Sequence, residues 1–221
     1  MTELIVLIDP NDVNLERLIE QVNVSKPKNV WVGCSVSTED GIIRTFHKLE
    51  VPASFYPGTF DQLKKIHGLA KHIYISDPLF FTDLGIKRLF GEVSDYALQN
   101  LLGKFDFMNY VVLTPDCSSA KILGVYKNPS DKEVIKKLEQ VSIHPYVYLE
   151  GGSRNTDFSI ANRVDLAKRI NSKYQHSKII CGGGITSLNE LGRLKDNCSY
   201  VLASNMLHRN PSLLEACMDV F

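Results

Sequence analysis

Two short stretches carry the residue types that chemistry on phosphates would use. Residues 148–153 read Tyr-Leu-Glu-Gly-Gly-Ser, and residues 180–186 read Ile-Cys-Gly-Gly-Gly-Ile-Thr. Tyr148 and Glu150 stand two apart, so on a strand they share one face and present a phenol beside a carboxylate. That pair suits a general base next to a glycine-rich anion site. It equally suits a core tyrosine with a glutamate capping the next helix, and both readings stay open. The three glycines at 182–184 follow an apolar run and precede a helical pattern. They clear the backbone of side chains, as a phosphate cradle requires and as a tight strand-to-helix turn also does.

Carboxylates add a second chemistry. Asp9, in Leu-Ile-Asp-Pro-Asn-Asp (7–12), ends an apolar run, and the following proline stops a strand ladder. Asp9, Asp12, Ser35 and Asp116 offer hard oxygens of the kind Mg²⁺ takes, one or two carboxylates with ligand phosphates supplying the rest. Asp12 also fits as the cap of a helix beginning near Asn14. The six histidines have no metal-ligand spacing and receive no role. No Gly-x-Ser-x-Gly elbow supports covalent catalysis.

Positioning these residues falls to eight apolar, β-branched runs, at 4–8, 30–33, 53–56, 72–76, 110–113, 146–149, 178–181 and 200–203. Between them, segments such as 14–22, 131–141 and 161–170 space apolar residues three or four apart among charges, the pattern of amphipathic crossover helices. Near-continuous apolar strands alternating with helices predict a parallel sheet buried on both faces. Eight such units predict an α/β fold, a (β/α)8 TIM barrel, rather than an open doubly wound sheet. Residues 79–105 read as a helix plus a loop. In a barrel the strand ends, including Asp9, Ser35, Glu150, Gly184, Ser204 and Asn205, converge on the C-terminal face. There the loops after strands seven and eight commonly hold phosphate.

The 221 residues, 44% hydrophobic, suit a single domain spanning 1–221. Lys+Arg 25 balances Asp+Glu 25, which argues against nucleic-acid binding and leaves any anion to local geometry. Five cysteines without a Cys-x-x-Cys pair argue against a disulfide framework and a structural zinc, and fit a reducing cytoplasmic setting. The N-terminal apolar run is too short for a signal peptide or a membrane span, so any lipid is met peripherally.

Taken in order, the motifs resemble those of the geranylgeranylglyceryl phosphate synthase and heptaprenylglyceryl phosphate synthase family, prenyltransferases with a modified TIM barrel. Leu-Ile-Asp-Pro-Asn-Asp (7–12), Val-Gly-Cys-Ser (32–35), Phe-Tyr-Pro-Gly (55–58), Tyr-Val-Val-Leu-Thr-Pro-Asp (110–116), Tyr-Leu-Glu-Gly-Gly-Ser (148–153) and Cys-Gly-Gly-Gly-Ile-Thr-Ser (181–187) each have a counterpart there. The resemblance implies Mg²⁺-dependent transfer of a long prenyl group from its diphosphate to the free hydroxyl of sn-glycerol 1-phosphate, a step of ether-lipid biosynthesis. Asp9 and Ser35 would bind the metal and the diphosphate. Tyr148, Leu149, Glu150, Gly151, Gly152, Ser153, Gly184, Ser204 and Asn205 would hold glycerol phosphate, with Glu150 taking the hydroxyl proton beside Tyr148. Family members carry a lysine at one of two places filled here by Leu7 and Asp12. Arg154 and Lys127 are the candidate replacements for that cation. Leu79, Phe80, Phe81, Leu89 and Phe90 are candidates for an apolar groove, and homodimers are common in the family. A barrel that binds a phosphorylated ligand as a regulator or structural partner is the alternative function. An isomerase or aldolase acting on sugar phosphates would share the phosphate site and want a catalytic lysine or a second carboxylate at a strand end; no strand-end lysine is evident.

Overall fold

The computed structural model describes residues 1–33, 37–80, 84–115, 117–125, 127–152 and 160–221, with the backbone alone at 84–89 and 118. Eight parallel strands close in sequence order: β1 (Glu3–Ile8), β2 (Val30–Val32), β3 (Ala53–Phe55), β4 (Ile73–Pro78), β5 (Phe105–Val112), β6 (Tyr146–Glu150), β7 (Lys178–Gly182) and β8 (Tyr200–Ala203). β8 pairs back onto β1 through Glu3↔Tyr200 to Val6↔Ala203. The fold is therefore the (β/α)8 barrel expected from the alternation of runs. Helices cover it: α1 (Leu15–Ser25), α2 (Glu39–Lys48), α3 (Phe60–Ile66), α4 (Leu84–Asn100), α5 (Ser118–Leu123), α6 (Asp131–Glu139), α7 (Ile160–Lys173), α8 (Leu188–Lys195), α9 (Asn205–Arg209) and α10 (Leu214–Asp219).

The period-2 alternation of each strand sorts its side chains into two cores. Leu4, Val6, Ile8, Val147, Leu149, Ile179 and Cys181 point outward into the layer between strands and helices. Ile5, Trp31, Met108, Tyr110, Tyr148, Ile180 and Leu202 point inward and fill the barrel. The inner core is aromatic. Trp31 stacks on Tyr74 at 4.1 Å, and Tyr110 lies 5.2 Å from Tyr148. Such rings plug the barrel while leaving hydroxyls to be paired.

Helix starts follow their capping residues. Thr38, Thr59 and Ser187 accept from the third amide of α2, α3 and α8. Ser130 and Glu133 form a reciprocal capping box on α6. β5 begins at Phe105, five residues before the expected run, so 79–105 holds α4 and the start of a strand. No helix among the described residues is long and apolar enough to cross a membrane.

Candidate functional site

The C-terminal strand ends enclose a cavity of about 440 Å³. One side is polar, lined by Asp9, Glu150, Gly152, Gly183, Ser204 and Asn205. The side formed by β3, β4 and α3–α5 is mainly apolar, lined by Phe60, Leu63, Ile75, Pro78, Phe90, Val93, Ile122 and Leu123, with the hydroxyls of Thr59, Ser76 and Ser119 among them. Three inward tyrosines, Tyr56, Tyr110 and Tyr148, form the floor.

Tyr148 and Glu150 lie on one face of β6, as their spacing predicts. The Tyr148 hydroxyl donates to Glu150 Oε2 at 2.6 Å, and the Gly152 amide donates to Oε1 at 2.8 Å. Each carboxylate oxygen thus takes one bond and keeps lone pairs facing the cavity. Burial, reinforced by the neighbouring Glu150 charge, pushes the Tyr148 phenol well above its ordinary value, so it stays a donor. Tyr110 and Tyr56 are raised by burial in the same way. Their hydroxyls are paired: Tyr110 donates to Ser119 at 2.9 Å, and Ser76 donates to Tyr56 at 2.9 Å.

The glycines at 182–184 have a reason that the sequence did not disclose. Glu150 sits opposite Gly182 in the β6–β7 register. A Cβ on Gly182 would stand 2.8 Å from the Tyr148 hydroxyl, and one on Gly183 would stand 1.8 Å from Glu150 Oε1. The groups that come close are therefore the protein's own acid and phenol. Gly183 and Gly184 also take φ of 74° and 61°, a turn that L side chains resist.

Asp9 stands at the mouth on the β1 loop. Its Oδ1 accepts from the Asn11 amide at 2.9 Å and from Ser37 at 3.3 Å. Its own amide donates to His208 Nε2 at 3.0 Å, while His208 Nδ1 faces Asp12 at 3.5 Å. The Asn14 side chain donates to the His208 carbonyl at 2.7 Å. His208, only 4% exposed, thus ties the β1 loop to α9, a role the sequence reading missed. Asp12 accepts from the Asn14 amide at 2.9 Å, a turn just ahead of α1; the N-cap is Asn14, not Asp12, and takes no side-chain cap bond. Among the described residues no three His, Cys, Asp or Glu side chains converge as a metal cage.

The remaining candidates divide. Ser204 and Asn205 line the cavity from the end of β8. Gly151 donates its amide to Gly182 within the sheet, and Leu149 turns its side chain to the outer core, so each offers the site backbone only. Lys127 is exposed, paired with Glu133 at 2.7 Å, and does not line the cavity. Ser35, Asp116, Ser153 and Arg154 lie outside the described residues, as does Phe81. Of the candidate groove residues, Phe90 lines the cavity and Leu79 is buried in the outer core; the Leu89 side chain is not described.

No protein-family model and no curated protein matches the sequence. By structure, the chain is similar to (S)-3-O-geranylgeranylglyceryl phosphate synthase from Thermoplasma acidophilum, crystallised in complex with its substrate sn-glycerol-1-phosphate. The TM-score is 0.78 over 99% of this chain and 91% of that one, at 16% identity. The wild-type GGGPS from Thermoplasma volcanium gives 0.78 over 99% and 90%, also at 16% identity. Phosphoribosyl anthranilate isomerase from Thermococcus kodakaraensis gives 0.58 over 100% and 98%, at 14% identity. At these identities the shared property is the fold, and the barrel follows the two synthases more closely than the isomerase.

Proposed function

We propose that this barrel is a prenyltransferase that joins a prenyl diphosphate to the free hydroxyl of sn-glycerol 1-phosphate, forming an ether. The observation that carries this reading is one cavity lined both by polar residues at the ends of β1 and β6–β8, Glu150 among them, and by a mainly apolar set from β4 and α3–α5. A polar acceptor and a long hydrocarbon donor need both, and a sugar-phosphate isomerase has no use for the apolar set. The likeness to a synthase crystallised with sn-glycerol-1-phosphate supports the choice of acceptor.

In this reading the glycerol phosphate group sits over Gly152, Gly183, Gly184, Ser204 and Asn205, and its hydroxyl faces Glu150. As the new C–O bond forms, the hydroxyl proton passes to Glu150 and the allylic carbon–oxygen bond to diphosphate breaks. Tyr148 and the Gly152 amide hold the carboxylate in place throughout. The prenyl chain extends past Tyr56 and Ile75 toward Phe90 and Val93.

The mouth also fits Mg²⁺ in the mode where one carboxylate suffices and substrate phosphates complete the shell. Asp9 would hold it, with Ser35 the second expected contributor. Bound there, the ion would offset charge on the departing diphosphate. The alternative, a barrel that holds a phosphorylated ligand without turnover, draws on one observation: both Glu150 oxygens already accept a hydrogen bond.

Incubation of the purified protein with labelled sn-glycerol 1-phosphate, Mg²⁺ and prenyl diphosphates of graded length separates the two. Label passing into the organic phase with any chain length supports the transferase. No transfer at any length, with phosphate still bound, supports the non-catalytic barrel.

A further inference from the structure

Arg163 neither lines the cavity nor touches Glu150 or Asp9 among the described contacts. It projects from α7, is 2% exposed, and packs against the backbone of the loops after β6 and β7. Its Nη1 donates to the carbonyl oxygens of Gly182 at 2.9 Å and Gly183 at 2.6 Å. A Cβ on Gly151 would stand 2.5 Å from Nη1, so glycine there makes room for the guanidinium. Among the described residues no carboxylate pairs with Arg163 and its buried Nε has no hydrogen-bond partner. A guanidinium always carries its charge, and an unpaired buried charge is costly.

The geometry points to Arg163 as the positioning residue that makes the β7 loop a phosphate receptor, an inference that rests on the glycerol phosphate reading above. A trans peptide directs its carbonyl and the following N–H to opposite sides. Anchoring the Gly182 and Gly183 carbonyls on Arg163 therefore turns the amides of Gly183 and Gly184 away from it. Neither amide donates to any described residue, and Gly183 lines the cavity. The guanidinium behind these peptides polarises them in the sense that favours an anion in front. It acts through the backbone, where the side chains of the loop are absent by necessity.

Inorganic phosphate is the probe, and the full chain is the sample. In wild-type protein, titration with phosphate should shift the Gly183 and Gly184 amide resonances ahead of the rest of the spectrum. Arg163→Gln keeps a donor for the carbonyls and removes the charge; it should weaken phosphate binding about tenfold or more, while Arg163→Lys recovers part of the loss. Phosphate affinity unchanged in a folded Arg163→Gln protein overturns the proposal. If Arg163→Gln does not fold, the wild-type titration decides: silent Gly183 and Gly184 amides overturn it as well. Silent amides together with ether product would remove the role of Arg163 and leave the transferase standing. Arg163-dependent phosphate binding without product would support Arg163 and remove the transferase.

Discussion

Replacing Gly183 with alanine tests the packing of the acid against the glycine loop. The new Cβ would stand 1.8 Å from Glu150 Oε1 and 2.6 Å from the Gly152 carbonyl, where ordinary contact begins at 3.4 Å. Glu150 must retreat by roughly 1.5 Å, which breaks the bond from the Gly152 amide. Losing a hydrogen bond to a charged group costs about 1.5–3 kcal/mol. Holding alanine at φ 74° adds about 1–2 kcal/mol. In a chain of 221 residues these predict a fall in Tm on the order of 10 °C. A general base displaced by an ångström or more should also lose about 10²-fold in rate. Gly192→Ala is the control, because a Cβ there would meet nothing within 4 Å outside its chain neighbours and its own helix backbone; it should raise stability by about 0.5–1 kcal/mol. Differential scanning calorimetry and the transfer assay on both variants give the answer. A Gly183→Ala protein that melts with wild type and turns over normally would refute the close approach of Glu150 to the loop.

Three further outcomes follow from the same geometry. Glu150→Gln keeps the shape and removes the base, so the rate should fall about 10²- to 10⁴-fold. Its amide nitrogen cannot accept as the second carboxylate oxygen does, so Tm should fall by several degrees as well; a rate loss of only a few fold makes Glu150 structural. Asp9→Asn keeps the oxygen that accepts from the Asn11 amide and should lose most turnover, with the thermal transition near wild type; undiminished turnover removes Asp9 from the metal. Alkaline titration tests the buried phenols: Tyr56, Tyr110 and Tyr148 stay protonated when folded, whereas unfolded tyrosines ionise near about pH 10. Above that pH the native state binds more protons than the unfolded one, so stability is complete below it and falls as pH rises. Part of the tyrosinate absorbance should therefore appear only with the loss of circular dichroism, and smooth ionisation of all nine tyrosines in folded protein would contradict the burial.

The strand order and the residues at strand ends were legible because period-2 and helical patterns are local. Asp9, Glu150, Ser204 and Asn205 do reach one cavity. The first half of β5 was hidden by Asp106 and Asn109, polar residues that interrupt the run. Their partners are remote in sequence: Asp106 meets His72, and Asn109 accepts from the His144 amide. The glycine triplet was legible as a close approach, but the approaching groups, Tyr148 and Glu150, come from the neighbouring strand. His208 carried no spacing signal, since its partner Asp9 is at the other end of the chain. Arg163 left one trace. It occupies a buried position between Ile160 and Ala167 on the apolar stripe of α7, where an arginine must be answering something inside the fold.

Phosphorus NMR of one reaction mixture tests the transferase claim most directly, because it follows the bond that breaks. With sn-glycerol 1-phosphate, Mg²⁺ and a prenyl diphosphate, the wild-type protein should release inorganic diphosphate in step with loss of the prenyl diphosphate signals. Release should require the acceptor and nearly vanish in Glu150→Gln. Prenyl diphosphate that stays intact in the presence of acceptor, or breaks down equally without it, would contradict transfer to glycerol phosphate in this cavity.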